Sequence, residues 1–461
     1  MAPRFNKILV LLGLGLASSA VFGQSKEYIV RFTESRLPPL RGKIVLDDRY
    51  ATQSREWGYL KPTTVNEVQR LEKRHSFRVK QAYSHALSGF SADLTSEQLA
   101  ALRQEPSVDL IEEVLPTKLA QLDILSSLLN LNFLSGLLGG GSAPAPAPSP
   151  GPAPAPAPVP FAVPINVPFV PTAAPAPGPA PEPVPQTIPY GITLTEATQS
   201  FSQAGNGSGS VDLPTAYVID SGIGPNNELN LVQHVNFAGG PNTDCNGHGT
   251  HVAGTIGARD NAFDTVGVAP GIKLVGVKAL GCDGNGTTAM AIKAIDWVTA
   301  NAMRPAVVNL SFTSAPTAAF DDAVRRSVAS GLVYSLAAGN EAADACGSSP
   351  ARVGGITPGV FVVAASDSND AEANFSNFGS CIDIWAPGVG VVSTRSGGGL
   401  LTLSGTSMSA PHVAGAAALF LARNPQADNA TVWRFLKDTA VATSRTSRDG
   451  KTVRRLRANI Q

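Results

Sequence analysis

From Ala216 onward, short apolar runs alternate with segments of helical spacing, and nothing else in this chain narrows its fold so far. The runs TAYVID, KLVGVKAL, PAVVNLSF, LVYSLAAG, VFVVAAS and IDIWAPG are almost continuously apolar rather than alternating. A strand with one wet face alternates, whereas a continuous apolar strand must be covered on both faces. Helical spacing opens at His248 and recurs over Thr288 to Asn301 and Phe320 to Ser330. The expected class is therefore α/β, a mostly parallel sheet with helices on both faces. Sites in such sheets lie beyond the C-terminal ends of strands, where Asp220 and Asn340 fall.

The segment LSGTSMSAPHVAG sets Ser407 between a small-residue turn and an apolar helical run. A serine hydroxyl is inert at its own pKa, so a nucleophilic serine needs a histidine base, a group orienting that base and donors for the oxyanion. Upstream stand TAYVIDSGIG with Asp220, NGHGTHVAGTIG with His248 and SLAAGN with Asn340. Asp220 would orient His248 and stabilise its imidazolium, and His248 would serve as general base and then acid. Ser407 at a helix N-terminus gains the dipole, and its own N–H can face an oxyanion with the Asn340 amide as second donor. His251 and His412 are read as packed helix histidines, because a zinc site at His248 and His251 lacks a third ligand.

The order Asp, His, Asn, Ser with these flanks resembles the subtilisin-like serine peptidases, most closely the proteinase K branch, from about Pro189 to the C-terminus. The resemblance implies a substrate lying extended against Gly284, Asn285 and Gly286 on one side and Ser311, Phe312 and Thr313 on the other, with Ala337, Ala338 and Gly339 as a further wall. It departs at Thr313, where the family usually has glycine; a side chain there narrows the mouth of the primary pocket. It also implies structural calcium on the carbonyls of Pro358 and Val360 and the carboxylate of Asp383, oxygen ligands that suit that ion. The competing reading makes Asp383 a turn cap. No catalytic cofactor is expected.

Four cysteines in a secreted chain read as two disulfides, and spacing alone leaves three connectivities open. The resemblance implies Cys245–Cys282 and Cys346–Cys381.

Secretion is expected from Arg4 and Lys7, the apolar run Ile8 to Ala17 and the small residues behind it, the pattern of a signal peptide over 1–23. Residues 24–118 read as a small α+β domain. Its GFSA and IEE segments, Gly89 to Ala92 and Ile111 to Glu113, resemble the subtilisin propeptide, which implies an intramolecular inhibitor. Residues 119–189 form an insertion, leucine-rich at first and then carrying 19 prolines between Pro144 and Pro189, a composition that favours a polyproline spacer. Residues 190–461 are the expected peptidase domain. Cleavage of the leader is expected around Thr117 to Leu125, with a second trimming near Pro185 to Gly191.

A balance of 35 basic and 35 acidic residues among 461 supplies no electrostatic reason for nucleic acid or a membrane as partner. Protein or peptide substrates and a monomer are expected. The sequence thus predicts a secreted serine endopeptidase made as a zymogen. The rival from another class is a catalytically silent binding protein on the same fold. An α/β-hydrolase esterase is excluded, since Ser409 stands where G-x-S-x-G around Ser407 needs its second glycine, and the triad order would be wrong.

Overall fold

The apolar runs of the C-terminal half do form strands. A computed structural model describes residues 25–40, 47–57, 60–120 and 185–461. The expected signal peptide and nearly all of the expected linker lie outside the described residues. The chain divides into two compact units. One holds residues up to Pro116 with Thr287–Asn301 and Thr317–Ser327, and the other holds the remainder.

In the first unit, β1 (Lys26–Phe32), β2 (Val79–Tyr83), β3 (Gly89–Leu94) and β4 (Val108–Glu113) form an antiparallel sheet in the order β2-β3-β1-β4. The helix Pro62–His75 starts on a proline, whose missing N–H costs nothing there. It turns Val65, Val68 and Leu71 onto a core with Val30, Phe32 and Phe90. Thr95 opens the helix Ser96–Leu102 with a capping box to Gln98. The sequence from Phe77 to Thr95 reads as one strand-like stretch but splits at Ser84–Ser88. The buried carboxylate of Asp296 takes the turn's N–H groups, from Ser84 at 3.0 Å, His85 at 2.6 Å and Ala86 at 2.7 Å. At the opposite edge Glu112 accepts from the N–H groups of Ala318 and Ala319, at the start of the helix Ala318–Ala329, where a negative charge suits the helix dipole.

The second unit carries most of a small sheet made of β5 (Pro116–Leu119), β9 (Asn285–Thr287) and β11 (Phe312–Ser314), described with the site below. Its large sheet contains β6 (Thr215–Asp220), β7 (Leu231–Asn236), β8 (Lys273–Lys278), β10 (Ala306–Leu310), β12 (Val333–Ala337), β13 (Val360–Ser366), β14 (Ile384–Pro387), β17 (Val441–Thr446) and β18 (Thr452–Arg455). The order is β17-β18-β14-β13-β12-β10-β6-β8-β7. Every pair is parallel except β17 with β18. A separate antiparallel pair is formed by β15 (Val391–Thr394) and β16 (Leu400–Leu403). The α/β class, a mostly parallel sheet with helices, is thus the one observed. The helix Thr406–Arg423 is buried over nearly its whole length, which accounts for its uniformly apolar sequence, since a helix buried all round has no polar stripe to show. It shares a core with the helix His248–Gly257 and strands β6, β12 and β13.

The stretch Arg445 to Arg457 reads in sequence as a solvated basic surface. It is mostly exposed, and part of it forms β18, beside β14, with Val453 and Leu456 fully buried. Arg455 is paired with Asp370 at 2.8 Å. The cysteines are bonded Cys245–Cys282 and Cys346–Cys381, with Cα separations of 4.9 and 5.4 Å. Loops of 37 and 35 residues closed this way contribute about 3–4 kcal/mol each on a chain-entropy account.

Candidate active site

β6 ends in Asp220, and the helix His248–Gly257 begins in His248; both side chains are fully buried. Asp220 Oδ1 accepts from His248 Nδ1 at 2.8 Å and from the Ser221 N–H at 2.6 Å. With its proton held on Nδ1, the ring presents Nε2 as the basic nitrogen. That atom is buried and has no hydrogen-bond partner among the described residues. The glycine after His248 is a requirement of approach, because a Cβ at Gly249 would stand 2.0 Å from the Gly222 carbonyl oxygen. A further pair, not singled out in sequence, ties the two blocks together. Ser221 Oγ donates to Asp244 at 2.9 Å and accepts the Gly249 N–H at 2.9 Å, while Asp244 also takes the N–H groups of Asn246, Gly247 and Thr250.

Ser407 is the second residue of the helix Thr406–Arg423. Its Oγ donates to the Ser311 carbonyl at 2.7 Å, and Ser311 Oγ donates back to the Ser407 carbonyl at 2.9 Å. Thr406, also missed in sequence, fixes the orientation of Asn340. Its N–H and its hydroxyl both donate to Asn340 Oδ1 at 2.9 Å. The Asn340 Nδ2 is left buried and without an acceptor among the described residues, a donor that burial makes costly to leave idle. Two other helix histidines are packed, as expected. His251 Nε2 faces the Val391 and Leu401 carbonyls and His412 Nδ1 donates to Met408. Burial pushes their pKa values down to about 3 and about 4, so both are neutral.

β5 runs between β9 and β11. Its register against β11 pairs Leu119 with Phe312, Lys118 with Thr313 and Thr117 with Ser314. Gly284 and Gly286 make room for it, since a Cβ would lie 2.7 Å from Leu119 Cδ1 at the first and 2.8 Å from Thr117 Oγ1 at the second. Beyond β5 the Ala120 N–H donates to the Ser311 carbonyl at 3.2 Å, and the Ala120 carbonyl accepts the Ser407 N–H at 3.0 Å. Ala337 closes β12. The Ala338 carbonyl takes Asn377 Nδ2, and the Gly339 N–H donates to Thr406. An extended chain is thus held with the Ala120 carbonyl on the Ser407 N–H, while Ser407 Oγ is turned to Ser311 and not to His248.

The residues expected to hold calcium do not fit that ion. Asp383 Oδ1 accepts from the ammonium of Lys437 at 2.7 Å, and Oδ2 takes the N–H groups of Gly355 and Val362, each at 3.1 Å. The carboxylate is fully buried; burial pushes its pKa up while Lys437 pulls it down. A divalent cation there would meet Lys437, itself packed 3.9 Å above the Trp433 ring. In this structure the cation at Asp383 is the Lys437 side chain. Sequence could not reveal it, because Lys437 lies 54 residues on. Lys437→Met should cost about 3 kcal/mol, the low end for stripping a buried carboxylate of its partner, and lower Tm by roughly 6–12 °C. The loss should appear equally in excess calcium and in EDTA. A variant melting with the wild type in excess calcium would return Asp383 to a calcium role.

The sequence pattern of the Subtilase family matches residues 217–457, and that of the family Peptidase inhibitor I9 matches residues 27–120. The chain is 37% identical over 374 residues to alkaline serine exoprotease A of Vibrio alginolyticus, an alignment covering 78% of this chain and 57% of that protein. It is 40% identical over 261 residues to subtilisin BL of Lederbergia lenta, covering 56% of this chain and 93% of the relative. A crystal structure of a cold adapted subtilisin-like serine proteinase superposes with a TM-score of 0.51 at 36% identity, over 59% of this chain and 98% of that one. The chain spans little more than half the length of the Vibrio protein.

Proposed function

We propose that this chain, which belongs to the subtilase family, is a secreted serine endopeptidase made as a zymogen, and that its leader ends at Ala120. His248 Nε2 would take the Ser407 proton as Oγ attacks the substrate carbonyl. Asp220 would hold the ring and its positive charge, and the Ser407 N–H and Asn340 Nδ2 would receive the oxyanion. The acyl-enzyme on Ser407 is then released by water activated by the same histidine.

One observation carries the reading. The Ala120 carbonyl accepts the Ser407 N–H at 3.0 Å, and the buried Asn340 Nδ2 has no acceptor among the described residues, which supports reading the Ala120 carbonyl as the one to be attacked. Until the leader is cut there and released, β5 fills the cleft as an inhibitor. A second cut near Pro185 to Gly191 would remove the proline-rich spacer. Secretion is supported by the charged and apolar N-terminal segment and by a relative named as an extracellular serine proteinase from a Thermus strain.

The proposal is tested by labelling the secreted protein with a fluorophosphonate and mapping the adduct. Modification of Ser407 and of no other serine is expected, and is lost in Ser407→Ala. An unlabelled Ser407 in a folded, leader-free protein favours the binding-protein reading.

A further inference from the structure

Beside the cleft stands a carboxylate that the catalytic scheme leaves unused. Glu341 directly follows Asn340, and its backbone and side chain are both clamped by Asn377. The Glu341 N–H donates to Asn377 Oδ1 at 3.0 Å, and Asn377 Nδ2 donates to Glu341 Oε2 at 2.9 Å and to the Ala338 carbonyl at 3.0 Å. Asn377 Oδ1 also takes the Ala343 N–H, so the clamp is anchored on both sides of Glu341. Gly339 is part of it, since a Cβ there would stand 2.3 Å from Asn377 Nδ2 and 2.7 Å from Glu341 Oε2, at a φ of +102°. One oxygen is thereby committed and the other, Oε1, is aimed outward, where it meets the ammonium of Lys118 at 2.8 Å.

Lys118 belongs to the strand that leads to the Ala120 carbonyl at Ser407, and is the third residue before the bond to be cut. The register that pairs it with Thr313 is set by main-chain hydrogen bonds and would be shared by any peptide bound in the same extended form. Side chains of Lys118 and Glu341 are 63% and 39% exposed, so their attraction is a modest one that salt can screen. Lys118 and Asn377 nonetheless hold the Glu341 carboxyl below its usual range against the effect of burial. When the leader departs, Lys118 goes with it. Glu341 remains, fixed by Asn377, with Oε1 facing the cleft.

We propose that Glu341 is a specificity-determining residue that selects lysine or arginine at the third residue before the scissile bond, in the leader and in substrates alike. The proposal rests on the reading of Ser407 as the nucleophile. It adds a substrate class, peptides with a basic residue two positions before a small one at the cleavage point.

Peptides with alanine before the scissile bond and lysine, arginine, norleucine or glutamate two positions earlier should be compared with leader-free enzyme. Lysine and arginine are expected to exceed norleucine by about two- to five-fold in kcat/KM, the size of an exposed ion pair. The difference should sit in KM and shrink in 0.5 M salt. Glu341→Gln should bring lysine and norleucine peptides to parity, and Glu341→Lys should turn the preference toward glutamate. Equal wild-type rates for lysine and norleucine, or a lysine preference that survives Glu341→Gln, overturn the role of Glu341 alone. Absence of cleavage of every peptide by the wild type overturns the reading of Ser407 instead.

Discussion

Ser407→Ala will abolish both hydrolysis of added peptides and removal of the protein's own leader. The two losses share a cause, because the Ala120 carbonyl and an added substrate would meet the same Oγ and the same N–H. The helix N-terminus survives the change, since the Ser407 N–H and its bond to the Ala120 carbonyl are main-chain features. The variant should therefore fold, keep β5 in the cleft and accumulate as a precursor. Removing a nucleophile of this type costs about 10⁶ in kcat, a magnitude established on subtilisin, and leaves activity below detection in an ordinary assay. Intact mass of the secreted variant, expressed in a protease-deficient host, reads processing; a chromogenic peptide reads hydrolysis. A variant that matures at the wild-type rate removes Ser407 from the scheme.

Asp220→Asn should lower kcat by about 10⁴, the size measured for the corresponding change in another serine-protease triad. The amide is nearly isosteric with the carboxylate it replaces, but the Ser221 N–H and His248 Nδ1 both end on Oδ1, so an NH₂ group standing there gives up the Ser221 N–H. The NH₂ group would then donate to His248 Nδ1, moving the ring proton to Nε2 and removing the lone pair that accepts from Ser407. The rate of precursor conversion is the cleanest readout, since it is a single intramolecular turnover that needs no separate activation. An Asp220→Asn precursor that converts as fast as the wild type would mean that Asp220 does not set the tautomer.

Much of this was legible in the sequence because it rests on local rules. Continuous apolar strands separated by helical spacing specify a covered parallel sheet, and small residues around His248 and Ser407 mark the places where backbone must approach closely. Long-range pairings were not. Lys437 against Asp383, Thr406 steering Asn340, Asn377 clamping Glu341 and Asp296 gathering the turn at Ser84 join residues that no local pattern relates. At Asp383 the local sequence says nothing of the ammonium of Lys437 that the fold brings to the carboxylate. The strand β18 was missed because two of its four residues are arginines and only Val453 is buried.

The central claim is that Ala120 carries the carbonyl attacked by Ser407, and mass spectrometry of the fragment released on maturation tests it most directly. The C-terminus of that fragment is fixed by the first cut alone, whatever trimming follows in the linker. A leader ending in Ala120, with a companion fragment beginning at Gln121 in wild-type protein and neither in Ser407→Ala, is the predicted result. Fully active protein that still starts at Gln24, or a leader ending elsewhere than Ala120, would contradict the account.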